Sequence, residues 1–267
     1  MKKKVSLIKK LLIGFGILFL IGIIVDSGDS TNIVDSGGNT NIGDSGNNVS
    51  TIESEESSAS QATLEKESID GSTLIKKEGI AYAPDSDKPF SGTTVLAFGQ
   101  GGKKKVFYTY KDGEKNGLYI YYNENGQKSE EGNYKDGERD GKWIVWHDNG
   151  QKLEEGTLKD GKTDGKYTSW HDNGQKFEEK TFKNGKLNGK ATIWNKNGNK
   201  STEAHYSNGT YYGKWTMWHE NGQKRSEGNA VGGTNRTDMV KNGKWTMWDE
   251  NGKKVSERTL NYSRDYK

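Results

Sequence analysis

From about residue 90 to the C-terminus, short aromatic and β-branched runs alternate with polar residues, and the whole pattern returns at a fixed period. With the turn glycine as marker, copies fall at Gly126, Gly150, Gly174, Gly198, Gly222 and Gly252; the first five stand 24 residues apart and the last interval is 30. The six extra residues lie between Gly233 and Gly243, since Gly233 is still in phase with Gly209. A degenerate copy, SGTTVLAFGQGGKKKVFYTYKDG, keeps the phase through Phe98, Gly102, Tyr110 and Gly113, so seven units follow Phe90. Self-similarity at such a period marks a repeat array, in which each unit buries its apolar face against its neighbours.

One unit, GKWIVWHDNGQKLEEGTLKDGKTD (Gly141 to Asp164), reads as a β-hairpin. An aromatic strand meets Asn149-Gly150, a pair favoured in type I′ turns because both central residues need positive φ. A second strand, Gln151 to Leu158, ends at another turn, Lys159-Asp160-Gly161-Lys162. Pairing across Asn149-Gly150 sets His147 opposite Lys152, Trp146 opposite Leu153, Ile144 opposite Glu155 and Trp143 opposite Gly156. The same register pairs Tyr119 with Gly132, Ala191 with Ala204, Trp215 with Gly228 and Trp245 with Arg258. Leu158, Phe182, Tyr206 and Leu260 share the face of these rings, the packed one. On the opposite face stands a recurring aromatic: Tyr122, Trp146, Trp170, Trp194, Trp218 and Trp248. A sheet one layer thick cannot bury all of that row, so Trp146, Trp170, Trp194 and Trp218 are the candidate partner-binding residues. The expected fold is all-β, with tandem hairpins in an elongated single-layer antiparallel sheet.

The rest of the chain has a different character. MKKKVSLIKK precedes fifteen uncharged residues, Leu11 to Val25, in the layout of a secretory signal or signal anchor. At ~1.5 Å per residue that run spans about 22 Å, short of the ~30 Å hydrocarbon core, although Val5 to Ile8 extend it if Lys9 and Lys10 snorkel. The membrane therefore enters as a partner through residues 5–25 if they stay uncleaved. Lysines before the run and acidic sequence after it place the remainder of the chain outside the cytoplasm, in the cell envelope. Residues 26–72 hold ten acidic residues and one lysine, overlap nine-residue repeats that run from 24 to 50 (IVDSGDSTN, IVDSGGNTN, IGDSGNNVS), and read as a disordered acidic linker. The division is thus 1–25 hydrophobic helix, 26–72 linker and 73–267 repeat domain.

Composition excludes several chemistries. The chain has no cysteine, hence no disulfide or thiolate metal site, and a net charge of +3 spread over 267 residues does not announce nucleic acid. The string GTLKDGKT (residues 156–163) satisfies the phosphate-loop pattern, but the pattern requires a following helix, and here only the next strand follows. Gly43-Asp44-Ser45-Gly46 resembles the surroundings of a protease nucleophile, without a packed scaffold to hold a base. Glu131, Glu155, Glu179, Glu203, Glu227 and Glu257 recur after each turn, as do Lys128, Lys152, Lys176, Lys200, Lys224 and Lys254. Equivalent positions lie about 9.6 Å apart, too far for His147 and His171 to share a metal. Identical repeats give the glutamates identical environments, whereas acid and base work needs carboxylates whose pKa values are pushed apart. The expectation is an array with no catalytic residues, cofactor or metal.

The pattern G-x-W-x-x-W-x-x-N-G-x-K-x-x-E-G-x-Y-x-x-G, as in GKWIVWHDNGQKLEEGTLKDG and GKWTMWHENGQKRSEGNA, resembles the MORN repeat in its bacterial variant form, as found in YwqK-type antitoxins. The resemblance covers about two thirds of the chain and implies an elongated array of hairpins that contacts proteins or membranes. A membrane-directed N-terminus departs from a soluble cytoplasmic antitoxin. The functional expectation is an exported or anchored interaction protein at the cell surface with a protein partner, antitoxin- or immunity-like; the alternative is a module binding wall glycan or membrane lipid.

Overall fold

The computed structural model describes residues 64–234 and 239–260. The apolar segment 1–25, the linker up to residue 63, residues 235–238 of the six-residue insertion and residues 261–267 lie outside the described residues.

The described residues open with a helical turn ending at Glu67, then β1 (Ser68–Asp70) and a two-stranded sheet of β2 (Ile75–Lys77) and β3 (Ile80–Tyr82). Seven hairpins follow. They are β4 (Gly92–Phe98) with β5 (Lys104–Lys111), β6 (Glu114–Tyr122) with β7 (Lys128–Lys135), and, after the two-residue β8 (Glu138–Arg139), β9 (Gly141–Trp146) with β10 (Lys152–Lys159). Then come β11 (Lys162–Trp170) with β12 (Lys176–Lys183), β13 (Lys186–Trp194) with β14 (Lys200–Ser207), β15 (Thr210–Trp218) with β16 (Lys224–Val231), and β17 (Val240–Trp248) with β18 (Lys254–Leu260). Together with β1 and β8 they make one sheet of 16 strands in chain order, antiparallel throughout except where β1 runs parallel to β4.

The two turns of each unit differ from expectation in a specific way. Asn149 does not adopt positive φ; Gly150 does, at 82°, and its N–H donates to the His147 carbonyl while His147 N–H donates to Gln151. That is a three-residue loop closed by a left-handed glycine. The type I′ geometry belongs to the other turn, where Asp160 (φ 48°) and Gly161 (φ 71°) are the two central residues, with Asp112, Asp136, Asn184 and Asn208 repeating it. The Asn149 side chain is instead used twice: its Oδ1 accepts from Gln151 N–H, and its Nδ2 donates to the Asp172 carbonyl of the next hairpin, 2.9 Å away.

The longer loop shifts the register near the turn. Trp146 pairs with Lys152 and not with Leu153, and a bulge between Lys152 and Glu154 absorbs the extra residue. Beyond the bulge the expected pairs appear: Ile144 with Glu155, Trp143 with Gly156, Tyr119 with Gly132, Ala191 with Ala204, Trp215 with Gly228 and Trp245 with Arg258.

On the packed face Trp143, Leu158, Phe182, Ala191, Trp215 and Trp245 are buried. Leu260 is exposed, on β18, the edge strand of the sheet among the described residues. The rings there lie along the sheet. Trp143 stacks on Tyr119 with centroids 5.1 Å apart, carries the Arg139 guanidinium at 4.1 Å, and donates its indole N–H to Glu130 Oε1 at 2.7 Å. All three partners precede it, so the ring leans back over Gly132 and not over its cross-hairpin partner Gly156. Trp245 leans over Gly228 in the same way, with the Lys241 ammonium 4.7 Å from its ring centroid.

The boundary with the linker also differs. Residues 64–72, placed in the linker on composition, carry the helical turn, β1 and a 3-10 turn. Leu64 packs against Phe107, Ile120 and Tyr122, and Glu65 pairs with Lys105 at 2.6 Å. Apolar contact made by Leu64 outweighs the polar character of its neighbours.

Candidate binding surface

The face opposite the packed rings is built from one motif repeated. Lys152 Nζ lies 2.6 Å from Glu155 Oε2, and Lys142 Nζ lies 3.2 Å from its Oε1. The same two-lysine clamp closes on Glu179 (Lys166, Lys176), Glu203 (Lys190, Lys200), Glu227 (Lys214, Lys224) and Glu257 (Lys244, Lys254). Both lysines come from the glutamate's own hairpin, so the clamps fasten strands within a unit and not one unit to the next. Each exposed pair adds at most about 1 kcal/mol.

Neighbouring units are joined by other groups. His147 Nε2 meets the Trp170 carbonyl at 3.3 Å, His171 that of Trp194 at 3.2 Å and His219 that of Trp248 at 2.9 Å. A carbonyl only accepts, so Nε2 must carry the proton in each. Asn173, Asn197 and Asn221 repeat the bridge made by Asn149. Each lysine after a turn also reaches forward: Lys152, Lys176, Lys200 and Lys224 stand 5.5–5.9 Å from the ring centroids of Trp170, Trp194, Trp218 and Trp248.

The candidate residues Trp146, Trp170, Trp194 and Trp218 are thus brought into one row, each half-buried, at a spacing of one hairpin or about 9.6 Å. Trp194, Lys176, Gln175 and Gly198 line a shallow recess between adjacent turns. Tyr122, which begins the row in sequence, does not share this exposure. It is fully buried, edge-on to Phe107 at 5.8 Å, under the helical turn that carries Leu64.

Sequence reasoning missed the carboxylates of the packed face. Glu130, Glu154 and Glu178 precede the clamped glutamates by one residue and therefore point the other way. Glu130 receives the Tyr119 hydroxyl at 2.9 Å, the Trp143 N–H and Arg139 at 3.6 Å; Glu178 pairs with Lys180 at 2.6 Å. Glu154 has an Oε2 that is buried without a partner. Burial first, and then the charges of Glu178 and Glu130, raise its pKa, against the lowering effect of the Tyr167 hydroxyl. Its neighbour Glu155 moves down, held by Lys152 and then Lys142. Adjacent residues shift oppositely because they face opposite sides of one sheet. The signal was in the sequence as the doubled Glu-Glu at 130–131, 154–155 and 178–179.

The raised group makes stability depend on pH. Its contribution to folding is full below the ordinary glutamate range and is lost as pH rises through the folded-state value. Glu154→Gln is therefore expected to raise the melting temperature by a few degrees at pH 7 and to leave it unchanged near pH 3, below the ordinary glutamate range, where both side chains are neutral. Thermal melts at the two pH values check this; equal effects at both would contradict it. For Glu155, Glu179, Glu203 and Glu227, whose values are lowered, the sign is reversed: stability is lost as pH falls below the usual glutamate range.

The phosphate-loop string occupies the end of β10, the two-residue turn Asp160-Gly161 and the start of β11, so a strand follows where nucleotide binding needs a helix N-terminus. Neither ATP nor GTP is expected to shift the melting temperature, since a ligand that binds only the folded form must stabilise it. A shift abolished by Lys162→Ala would contradict that. Among the described residues no helix is long and apolar enough to cross a membrane, and no group of three or more His, Asp or Glu is placed to hold a metal ion.

No curated protein matches the chain. A solved structure, that of a Bacteroides fragilis protein of unknown function, aligns at 11% identity over 64% of this chain and 93% of that one; its TM-score of 0.11 carries no argument. The family described as MORN repeat variant matches residues 115–136, 139–160, 163–184, 211–230 and 241–262. These are the second, third, fourth, sixth and seventh hairpins; the fifth, unmatched, is the one with Ala191 opposite Ala204. The chain therefore belongs to the proteins built from MORN repeats of the variant type.

Proposed function

We propose that the sheet is a non-catalytic docking platform, which holds an extended protein partner along the row Trp146, Trp170, Trp194 and Trp218. The observation that carries this reading is the row itself: half-buried rings at one-hairpin spacing, three of them with a lysine of the preceding unit 5.5–5.8 Å from the ring. Buried aromatic anchors beside charged groups at a rim are what protein interfaces use for affinity. Spacing of about 9.6 Å from ring to ring suits an extended segment more than a small molecule. MORN repeats serve as interaction modules, which agrees with the reading at a coarser level. A place at the cell surface is supported by the apolar run Leu11 to Val25 behind five lysines. An immunity-like role is the antitoxin resemblance carried to that location.

The test is capture with the full-length chain. Envelope extract is passed over the immobilised protein, while purified cell wall and anionic liposomes are offered in parallel. Retention of one protein species that competes with neither wall nor liposomes supports the reading. Binding to wall or liposomes with no protein retained would replace it with the glycan or lipid alternative.

A further inference from the structure

At the ends of the hairpins away from the tryptophan row, the outer face changes character along the array. Where one hairpin passes to the next, the two strands set one pair of outer-face residues directly opposite each other. The first two pairs are of opposite charge, Lys111 with Glu114 and Lys135 with Glu138. The next two are of like charge, Lys159 with Lys162 and Lys183 with Lys186. Like charges directly opposite destabilise a sheet, yet all four lysines are exposed and form no ion pair among the described residues. Two hairpins further on, the pair is Val231 with Val240, and Val231 also pairs with Tyr212, which is 67% exposed. Three apolar side chains thus stand in one row across β15, β16 and β17. In the earlier hairpins the place of Tyr212 is held by Asn116, Asp140, Asp164 and Asn188. Asp140 Oδ2 accepts the Asp160 N–H and Asp164 Oδ2 the Asn184 N–H, so the ordinary residue there steadies the next turn. Tyr212 gives that bond up, beside the six-residue insertion, so neither the lysine pairs nor the apolar row is what the repeat requires.

We propose that this strip takes an extended peptide segment of a partner protein, laid across the strands, with acidic residues over the two lysine pairs and a large apolar residue on Tyr212, Val231 and Val240. The strip shares a face with the tryptophan row but not its position: Lys162 and Trp170 begin and end β11, about 26 Å apart. A carboxylate entering between two opposed ammonium groups relieves their repulsion, so charge that weakens the free sheet strengthens the complex. The apolar row lies two hairpins beyond Lys183 and Lys186, about 19 Å, a distance that about six extended residues span. A flat anionic surface does not match this layout. Sheet twist turns each strand by about 20° against the next, so β10 and β17, seven strands apart, differ by roughly 140° and cannot press on one plane, whereas an extended chain follows the twist.

Fluorescence anisotropy of a labelled peptide with about four glutamates, about five Ser and Gly residues and a Leu-Leu end, titrated with the full-length chain, tests this. Lys162→Glu combined with Lys186→Glu is expected to weaken binding at least about tenfold. The melting temperature of that variant should hold or rise, since each substitution turns a like-charge pair into an opposite-charge one. A merely structural role would move binding and stability the same way. Tyr212→Asn, which restores the residue type of the earlier hairpins, is expected to weaken binding by about as much, and so is cutting the Ser and Gly spacer to a single residue. The proposal is overturned if the peptide does not bind, if either variant binds it as the parent does, or if the short-spacer peptide binds as tightly. It is also overturned if phosphatidylglycerol vesicles, offered in parallel, are the better ligand and lose binding in the same variants.

Discussion

Replacing Gly132 with alanine is expected to destabilise the array by about 3 kcal/mol, the upper end of what overpacking a fixed site costs. The backbone there is not in the left-handed region, so the cost is purely steric: a Cβ would overlap Trp143 Cε3. The ring cannot retreat. It is 1% exposed, stacked on Tyr119, edge-on to Tyr134 at 6.0 Å, covered by Arg139 and fixed by its N–H to Glu130. Gly228→Ala meets the Trp245 ring in the same way. Gly156, the equivalent glycine of the third hairpin, is the control. Its nearest neighbour is Tyr167 Cδ2 at 3.4 Å, an ordinary contact, and alanine there is expected to be neutral or slightly stabilising through the entropy of the unfolded chain. Denaturant titration of the three variants checks the order; a Gly156→Ala loss equal to that of Gly132→Ala would mean that the rings lean forward and not back.

This contrast also shows how much was legible in advance. Period, hairpin count and the face of each ring follow from spacing alone, because side chains alternate across a strand and the repeat is 24 residues long. Which glycine a tryptophan covers does not follow. Trp143 lies in register between Gly132 and Gly156, and the choice is made by Glu130 and Arg139, side-chain partners that no pairing rule places. The turns failed for a related reason. Asn149-Gly150 and Asp160-Gly161 both carry the type I′ signature, and what separates them is the Asn149 amide reaching the Asp172 carbonyl of the next unit. Local propensity is blind to that contact. As for the candidate surface, the row was visible as a repeated tryptophan, but the burial of Tyr122 depended on Leu64, in a segment whose composition is that of a linker.

The second large effect is expected on the packed face. Trp143→Ala and Trp215→Ala each remove a ring that is 1% or 4% exposed, at about 3–5 kcal/mol apiece. The two sites lie three hairpins apart and share no partner, so their losses should add. The sum, about 6 kcal/mol or more, rivals the whole stability of an ordinary domain, and the double variant is expected to be unfolded or nearly so at 25 °C. Circular dichroism and the melting transition report it directly. Retention of a sharp transition within a few degrees of the parent would mean that the inner rings are not the core.

The outer row decides the account. Trp170→Ala with Trp194→Ala, in the full-length chain, removes two half-buried rings and the lysine contacts at 5.8 and 5.6 Å, while leaving the packed face untouched. Melting temperature and retention of the captured partner are measured on the same preparation. The account predicts a fall of at least about tenfold in retention with a loss of only a few degrees in melting temperature. Retention unchanged in a protein that still folds would contradict it.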